Sequence, residues 1–158
     1  MEYLDDAHEQ LKRLDHSVYV SLKYTRTVDV LRSILNRMVD TITPLLDTLL
    51  SKAKKDGKIE EPPTNIPLKC KKIKEVYAED ERIEELIEML DFLMFIRKVR
   101  RVEDYEKINE YRRHVALITE IDGEEVEINL DIIHEYYDKT KAYLLLVDEI
   151  VFGKKDDD

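Results

Sequence analysis

From Leu31 to Leu50 the apolar residues keep a three- and four-residue spacing: Leu31, Ile34, Leu35, Met38, Val39, Ile42, Leu45, Leu46, Leu49 and Leu50. A helix gathers positions so spaced onto one face, and a strand does not. The spacing predicts one long helix over 27–55. Pro44 lies inside it, where it removes a backbone donor and crowds the preceding turn. The apolar phase runs past Pro44, which predicts a kink. The alternative is a restart with Thr43 as N-cap and Pro44 at the first helical position. Lys52, Lys54 and Lys55 followed by Gly57 mark the far end, cations before a glycine.

Other segments follow the same logic. Leu4, Leu11 and Val18 repeat every seven, with Ala7 and Leu14 between, which predicts a helix over 2–24 lying along a partner. Residues 57–67 hold three of the four prolines and read as a linker. A short helix is expected over 68–78. A long one is expected over 80–98, capped by Asp80, with Ile83, Leu86, Ile87, Leu90 and Met94 as its stripe. Residues 99–112 read as a charged loop. In 113–130 apolar residues alternate on both sides of Asp122-Gly123, the pair favoured in a type I′ turn. That turn would pair Ile121 with Glu124, Thr119 with Val126, Leu117 with Ile128 and Val115 with Leu130. A last helix, capped by Asp131, is expected over 132–151.

The predicted fold is mainly α: a four-helix bundle of long helices with one β-hairpin inserted before the last helix. Residues 1–152 would form a single domain, followed by a frayed acidic tail at 153–158. Three glycines in 158 residues leave little room for loops, in keeping with long rods. One cysteine, Cys70, excludes an internal disulfide and a multi-thiol metal site. With no signal-like or membrane-spanning apolar run, a cytoplasmic protein is expected. A net charge of -10 opposes general attraction to nucleic acid or anionic membranes.

No motif for chemistry stands out. His8, His16, His114 and His134 lack metal-ligand spacing, and no phosphate-cradling glycine loop occurs. No catalytic residue, cofactor or metal is therefore expected. Glu81, Glu84, Glu85 and Glu88 fall largely opposite the apolar stripe, as a solvated face does.

Three groups of residues nonetheless call for an explanation. Asp15, Tyr19, Lys23, Tyr24 and Arg26 cluster around the corner between the first two helices, with His8, Asp15, Tyr19 and Arg26 along one flank. They form either a capped structural corner or a polar ligand site. Arg97, Arg101, Arg112, Arg113 and His114 could hold phosphates, with Tyr105 or Tyr111 to stack on bases. Otherwise Arg97 and Arg101 snorkel and pair with acids. Phe92, Phe95, Ile96, Leu145 and Leu146 lie on helices apolar on every side. Such a helix is central or is covered by another subunit. A homodimer through these faces is expected, with internal cover as the alternative.

The stretch LDHSVYVSLKYTRTVDVLRSIL, with EYRRHV further on, resembles small helical archaeal proteins of uncharacterised function, across most of the chain. The bundle is also loosely similar to HEPN domains, a helical family that includes ribonucleases. Their hallmark is an Arg and a His on one helix with four to six residues between them. Here those positions before His114 are Lys107, Ile108 and Asn109, so no catalytic role carries over. The function expected is a non-enzymatic, homo-oligomeric helical interaction module that binds a protein partner. The alternative is RNA binding or processing through the arginines and His114.

Overall fold

A computed structural model describes residues 2–153. The chain is mainly helical, with a small three-stranded antiparallel sheet. Apart from Gly153, the tail expected to fray lies outside the described residues.

Helix α1 (Glu2–His16) runs into a π-helical turn (Ser17–Ser21) and a final turn, α2 (Leu22–Tyr24). The expected uniform rod over 2–24 is thus interrupted. The cause lies in the spacing Leu14, Val18, Leu22. Each four-residue step on an ordinary helix overshoots a full turn by about 40°. A wider π turn takes up that drift. All three side chains stay at 4% exposure or less.

Helix α3 (Val28–Lys55) is unbroken through Pro44, so the restart at Thr43 does not occur. Thr27 caps it, its Oγ1 accepting the Val30 N–H at 3.2 Å. At the other end Gly57 takes φ 76°. The Gly57 and Lys58 N–H groups then return to the Lys54 and Ala53 carbonyls. This satisfies the last carbonyls of the helix. Helix α3 is the hub, packing against α1, against α4 (Ile66–Val76), α5 (Ile83–Arg101) and α6 (Leu130–Phe152), and against the sheet.

Two expected caps are displaced. Asp80 precedes α5 by a turn, where its Oδ1 accepts the Arg82 N–H at 2.8 Å instead of capping the helix. Helix α6 is capped by Asn129, whose side chain accepts the Ile132 N–H at 2.9 Å; Asp131 is already inside the first turn. Asn129 ends a strand and begins a helix, so the cap falls where the chain leaves the sheet.

The segment read as a loop over 99–112 contains the end of α5 and strand β1 (Glu106–Ile108). Strand β2 (Ala116–Ile121) pairs with β1 on one side and β3 (Glu124–Asn129) on the other. Ile121 faces Glu124, Thr119 faces Val126 and Leu117 faces Ile128. Asp122 and Gly123 both have positive φ, as a type I′ turn requires. The ladder stops at Ala116–Asn129, so Val115 and Leu130 do not pair. Leu117 and Ile128, paired across the sheet, are fully buried where it meets the helices, and Val115 is buried just before β2.

Candidate functional site

Helices α5 and α6 both pack on α3, and an open groove lies between them on the outer side. One part has a volume of about 700 Å³, lined by Ala142, Tyr143, Leu145 and Leu146 with Glu81, Arg82, Glu85, Glu88, Lys139 and Glu149 around them. Glu88, Lys139 and Tyr143 continue into a second part of about 500 Å³, reaching Ile87, Asp91, Phe92, Phe95 and Tyr136.

The floor is aromatic and ordered by contact. The Phe92 ring meets Tyr136 edge-on at 5.0 Å and Tyr143 at 5.6 Å. The Lys139 ammonium lies 5.7 Å from the Phe92 ring centre. The Tyr143 hydroxyl donates to Glu88 Oε1 at 3.2 Å. Burial, and then the Glu88 carboxylate, push the Tyr143 phenol well above its ordinary range. That bond ties the middle of α5 to α6.

The expected interface residues divide. Phe92 and Ile96 are buried within the chain, Phe95 and Leu146 are half-buried, and Leu145 is 59% exposed. Helices α5 and α6 are therefore not covered all round: internal packing takes Phe92 and Ile96, and Leu145 stays open. The glutamates expected on a solvated face do face solvent, and they form one wall of this groove. Its rim carries Glu81, Glu84, Glu85, Glu88, Asp91 and Glu149. Against them stand Arg82 and Lys139. Arg82 is already bound to Asp80 at 3.1 Å, and Asp91 is met by Lys74 at 3.5 Å. The balance is acidic. No Ser, Thr, Cys or His lines the groove. An apolar floor with a carboxylate rim is equipped to bind.

The polar corner also divides. Tyr137, on α6, donates to Asp15 at 2.5 Å, and its phenol is raised by burial and by that bond. The Tyr19 ring lies 5.4 Å from Tyr137 and 5.6 Å from His134. Asp15 and Tyr19 thus meet α6 beside the π turn. Tyr137 is the anchor that sequence reasoning missed; its place on the inner stripe of the last helix concealed its polar end. Lys23 and Tyr24 are exposed, and Arg26 turns its Nε back to the Leu22 carbonyl at 3.2 Å. His8 is exposed on α1.

The arginine set is split as well. Arg97 lines a different groove, between α1, α3, α4 and α5, with Arg100, Asp6, Asp40 and Asp47. Its Nη1 approaches the Met94 sulfur at 3.5 Å, while its Nε has no partner among the described residues. Burial, then the charges of Arg101 and Arg97, lower Arg100. Arg101 is exposed at the end of α5. Arg113 and His114 border a cavity of about 360 Å³ with Asn109, Glu127, Asn129 and Asp131.

Among the described residues no group of three His, Cys, Asp or Glu side chains is placed to hold a metal ion. No described helix is long and apolar enough to cross a membrane. Comparison with protein-family models, curated proteins and solved structures finds no match to this chain.

Proposed function

We propose that this protein is a non-enzymatic interaction module, a four-helix bundle of α1, α3, α5 and α6 whose α5/α6 groove receives a basic amphipathic helix of a partner protein. The observation that carries this is Leu145, 59% exposed on an apolar floor ringed by carboxylates. Helix-in-groove recognition uses such a floor for apolar anchors. The rim would select lysines and arginines flanking those anchors and repel acidic segments. Helix α5 has 19 residues, a length of about 28 Å, enough to flank a partner helix of several turns.

The same charges argue against a homodimer through this face. A two-fold interface would set one acidic rim against another, on a chain of net charge -10. The homodimer expected from the apolar helices therefore gives way to a cationic partner.

A labelled amphipathic Lys/Leu peptide of about 14 residues, roughly four helical turns, provides the probe. Binding by fluorescence anisotropy should be micromolar and should weaken as salt rises. Leu145→Asp should reduce affinity at least about tenfold, since burying a leucine contributes roughly 1.5–3 kcal/mol. Glu85→Lys combined with Glu88→Lys should weaken binding and flatten its salt dependence. Equal affinity across these variants would refute the groove as the docking site. A dimer in sedimentation that Leu145→Asp dissociates would assign the groove to a second copy instead.

A further inference from the structure

The corner after α2 and the loop after β1, far apart in sequence, are joined by one backbone hydrogen bond. The Tyr111 N–H donates to the Arg26 carbonyl at 2.6 Å. This sets Tyr111 beside the segment that carries Tyr24, two residues from Arg26. Tyr24 is 78% exposed and Tyr111 is 76% exposed, more than the other large apolar side chains of the described residues. Two phenol rings thus stand in solvent on segments joined by that bond.

The loop holds Tyr111 there against local preference. Tyr111 has φ 68° and Asn109 has φ 52°. Left-handed backbone costs an L-residue roughly 1–2 kcal/mol, and asparagine tolerates it better than tyrosine. One tight turn encloses the strained residue, Arg112 N–H to the Asn109 carbonyl, and a second follows it, Val115 N–H to the Arg112 carbonyl, both 3.1 Å. A bulky ring kept in solvent by a strained backbone marks a position where function can outweigh local stability.

The charge here opposes that of the whole chain. Segments 23–29 and 107–114 contain five cations, Lys23, Arg26, Lys107, Arg112 and Arg113, against two carboxylates, Asp29 and Glu110. Both carboxylates lie 3.8 Å from Lys107. Lys23, Arg112 and Arg113 are exposed. Glu127 and Asp131 line the cavity beside Arg113 and His114, so Arg113 borders acid on one side and the positive surface of Lys23 and Arg112 on the other.

We propose that this surface binds single-stranded nucleic acid, with bases stacking on Tyr24 and Tyr111 and phosphates meeting Lys23, Arg112 and Arg113. Exposed aromatic faces within a basic surface are the means by which unpaired bases are held without sequence readout. A duplex presents its phosphates but not its base faces. Arg97, in its separate groove, takes no part, and the α5/α6 groove is a different surface.

The test is fluorescence anisotropy with a labelled oligouridylate about a dozen nucleotides long, within the usual span of a single-strand site. Binding is expected at about 50 mM salt and should fall steeply by about 200 mM. Tyr24→Ser and Tyr111→Asn should each weaken it about tenfold. Asparagine accepts the left-handed backbone, so the Tyr111 variant should melt at or above the wild-type temperature; this separates lost stacking from lost folding. Arg112→Ala with Arg113→Ala should weaken binding and reduce its salt dependence. Leu145→Asp should leave it unchanged, independently of the peptide result. No binding at low salt would overturn the proposal. So would wild-type affinity in both tyrosine variants, or equal affinity for a duplex of the same length.

Discussion

Helices α3 and α6 are both long and rich in aliphatic residues, yet they occupy opposite situations. In α3, Leu45, Leu46 and Leu49 have no exposure, and even Thr41 and Thr48 are fully buried. In α6, the run Tyr143-Leu144-Leu145-Leu146-Val147 is more continuously apolar, but Leu145 projects from the protein. The central helix tolerates hydroxyls because its own backbone satisfies them. Thr41 and Thr48 donate to the Arg37 and Pro44 carbonyls, both at 2.8 Å. The difference teaches that an apolar run does not make a helix central. Contact on every side does, and α3 has it because α1, α4, α5, α6 and the sheet all pack upon it.

The sharpest way to break this comparison is to truncate one leucine in each helix. Leu46→Ala should cost about 2–5 kcal/mol, from lost burial and the cavity left behind. Leu145→Ala should stay within about 0.5 kcal/mol of wild type, as surface changes do. Urea denaturation measures both, and equal losses would erase the distinction. Native-state hydrogen exchange extends it: amides of 45–50 should open only with global unfolding, and those of 149–152 sooner.

The ends of the two helices should behave alike where their middles do not. Thr27→Ala and Asn129→Ala each remove a capping acceptor and should cost about 1 kcal/mol. Asp131→Ala should cost less, because Asp131 offers charge near the helix start without the capping bond. A larger loss at Asp131 than at Asn129 would reverse the assignment of the α6 cap.

Alkaline pH should test the buried phenols that tie the outer helices to the core. The Tyr77 hydroxyl donates to the Leu49 carbonyl at 2.7 Å, and burial, then Asp56 and Asp80, push its phenol up to about 12. Tyr137 and Tyr143 are raised further. Above the ordinary value near 10, the unfolded chain releases protons that the folded chain keeps. Stability should therefore hold below about pH 10 and decline as pH rises through the folded values. Tyr143→Phe should make that decline shallower in pH-jump melting experiments.

A small, pH-dependent effect belongs to the turn before α5. Partial burial alone would raise Asp80, but hydrogen bonds and charge from Arg82 outweigh it and hold the carboxyl below its ordinary value. A depressed carboxyl stabilises above its unfolded value near 4 and ceases to do so as pH falls through the folded one. Asp80→Asn should remove at most about 1 kcal/mol at neutral pH and little in acid, compared by denaturation at both.

Local physics was open to inspection in the residues themselves. The three- and four-residue spacing from Leu31 to Leu50 is a property of one segment, and so is the positive-φ turn at Asp122-Gly123. Thr27 could be recognised as a cap because cap and capped amide are three residues apart. The π turn could have been found in the spacing of Leu14, Val18 and Leu22, but only once all three were known to face inward.

Strand β1 has three residues, too few for an alternation to register, and it exists because β2 offers it an edge. Asn129 rather than Asp131 caps α6 because the ladder delivers the chain there. The bond between Tyr111 and Arg26 spans all of α3, α4 and α5 in sequence, as does that between Tyr137 and Asp15. Such pairs depend on how rods are laid together.

Side-chain pattern and turn chemistry, which act over a few residues, thus determined from the sequence alone that this chain forms rods and, to within a turn, which segments form them. Tertiary packing decided which rod is surrounded, which leucine is left in water, and which arginines share a surface. Those outcomes depend on competition among segments for a limited interior, and no single segment contains the result.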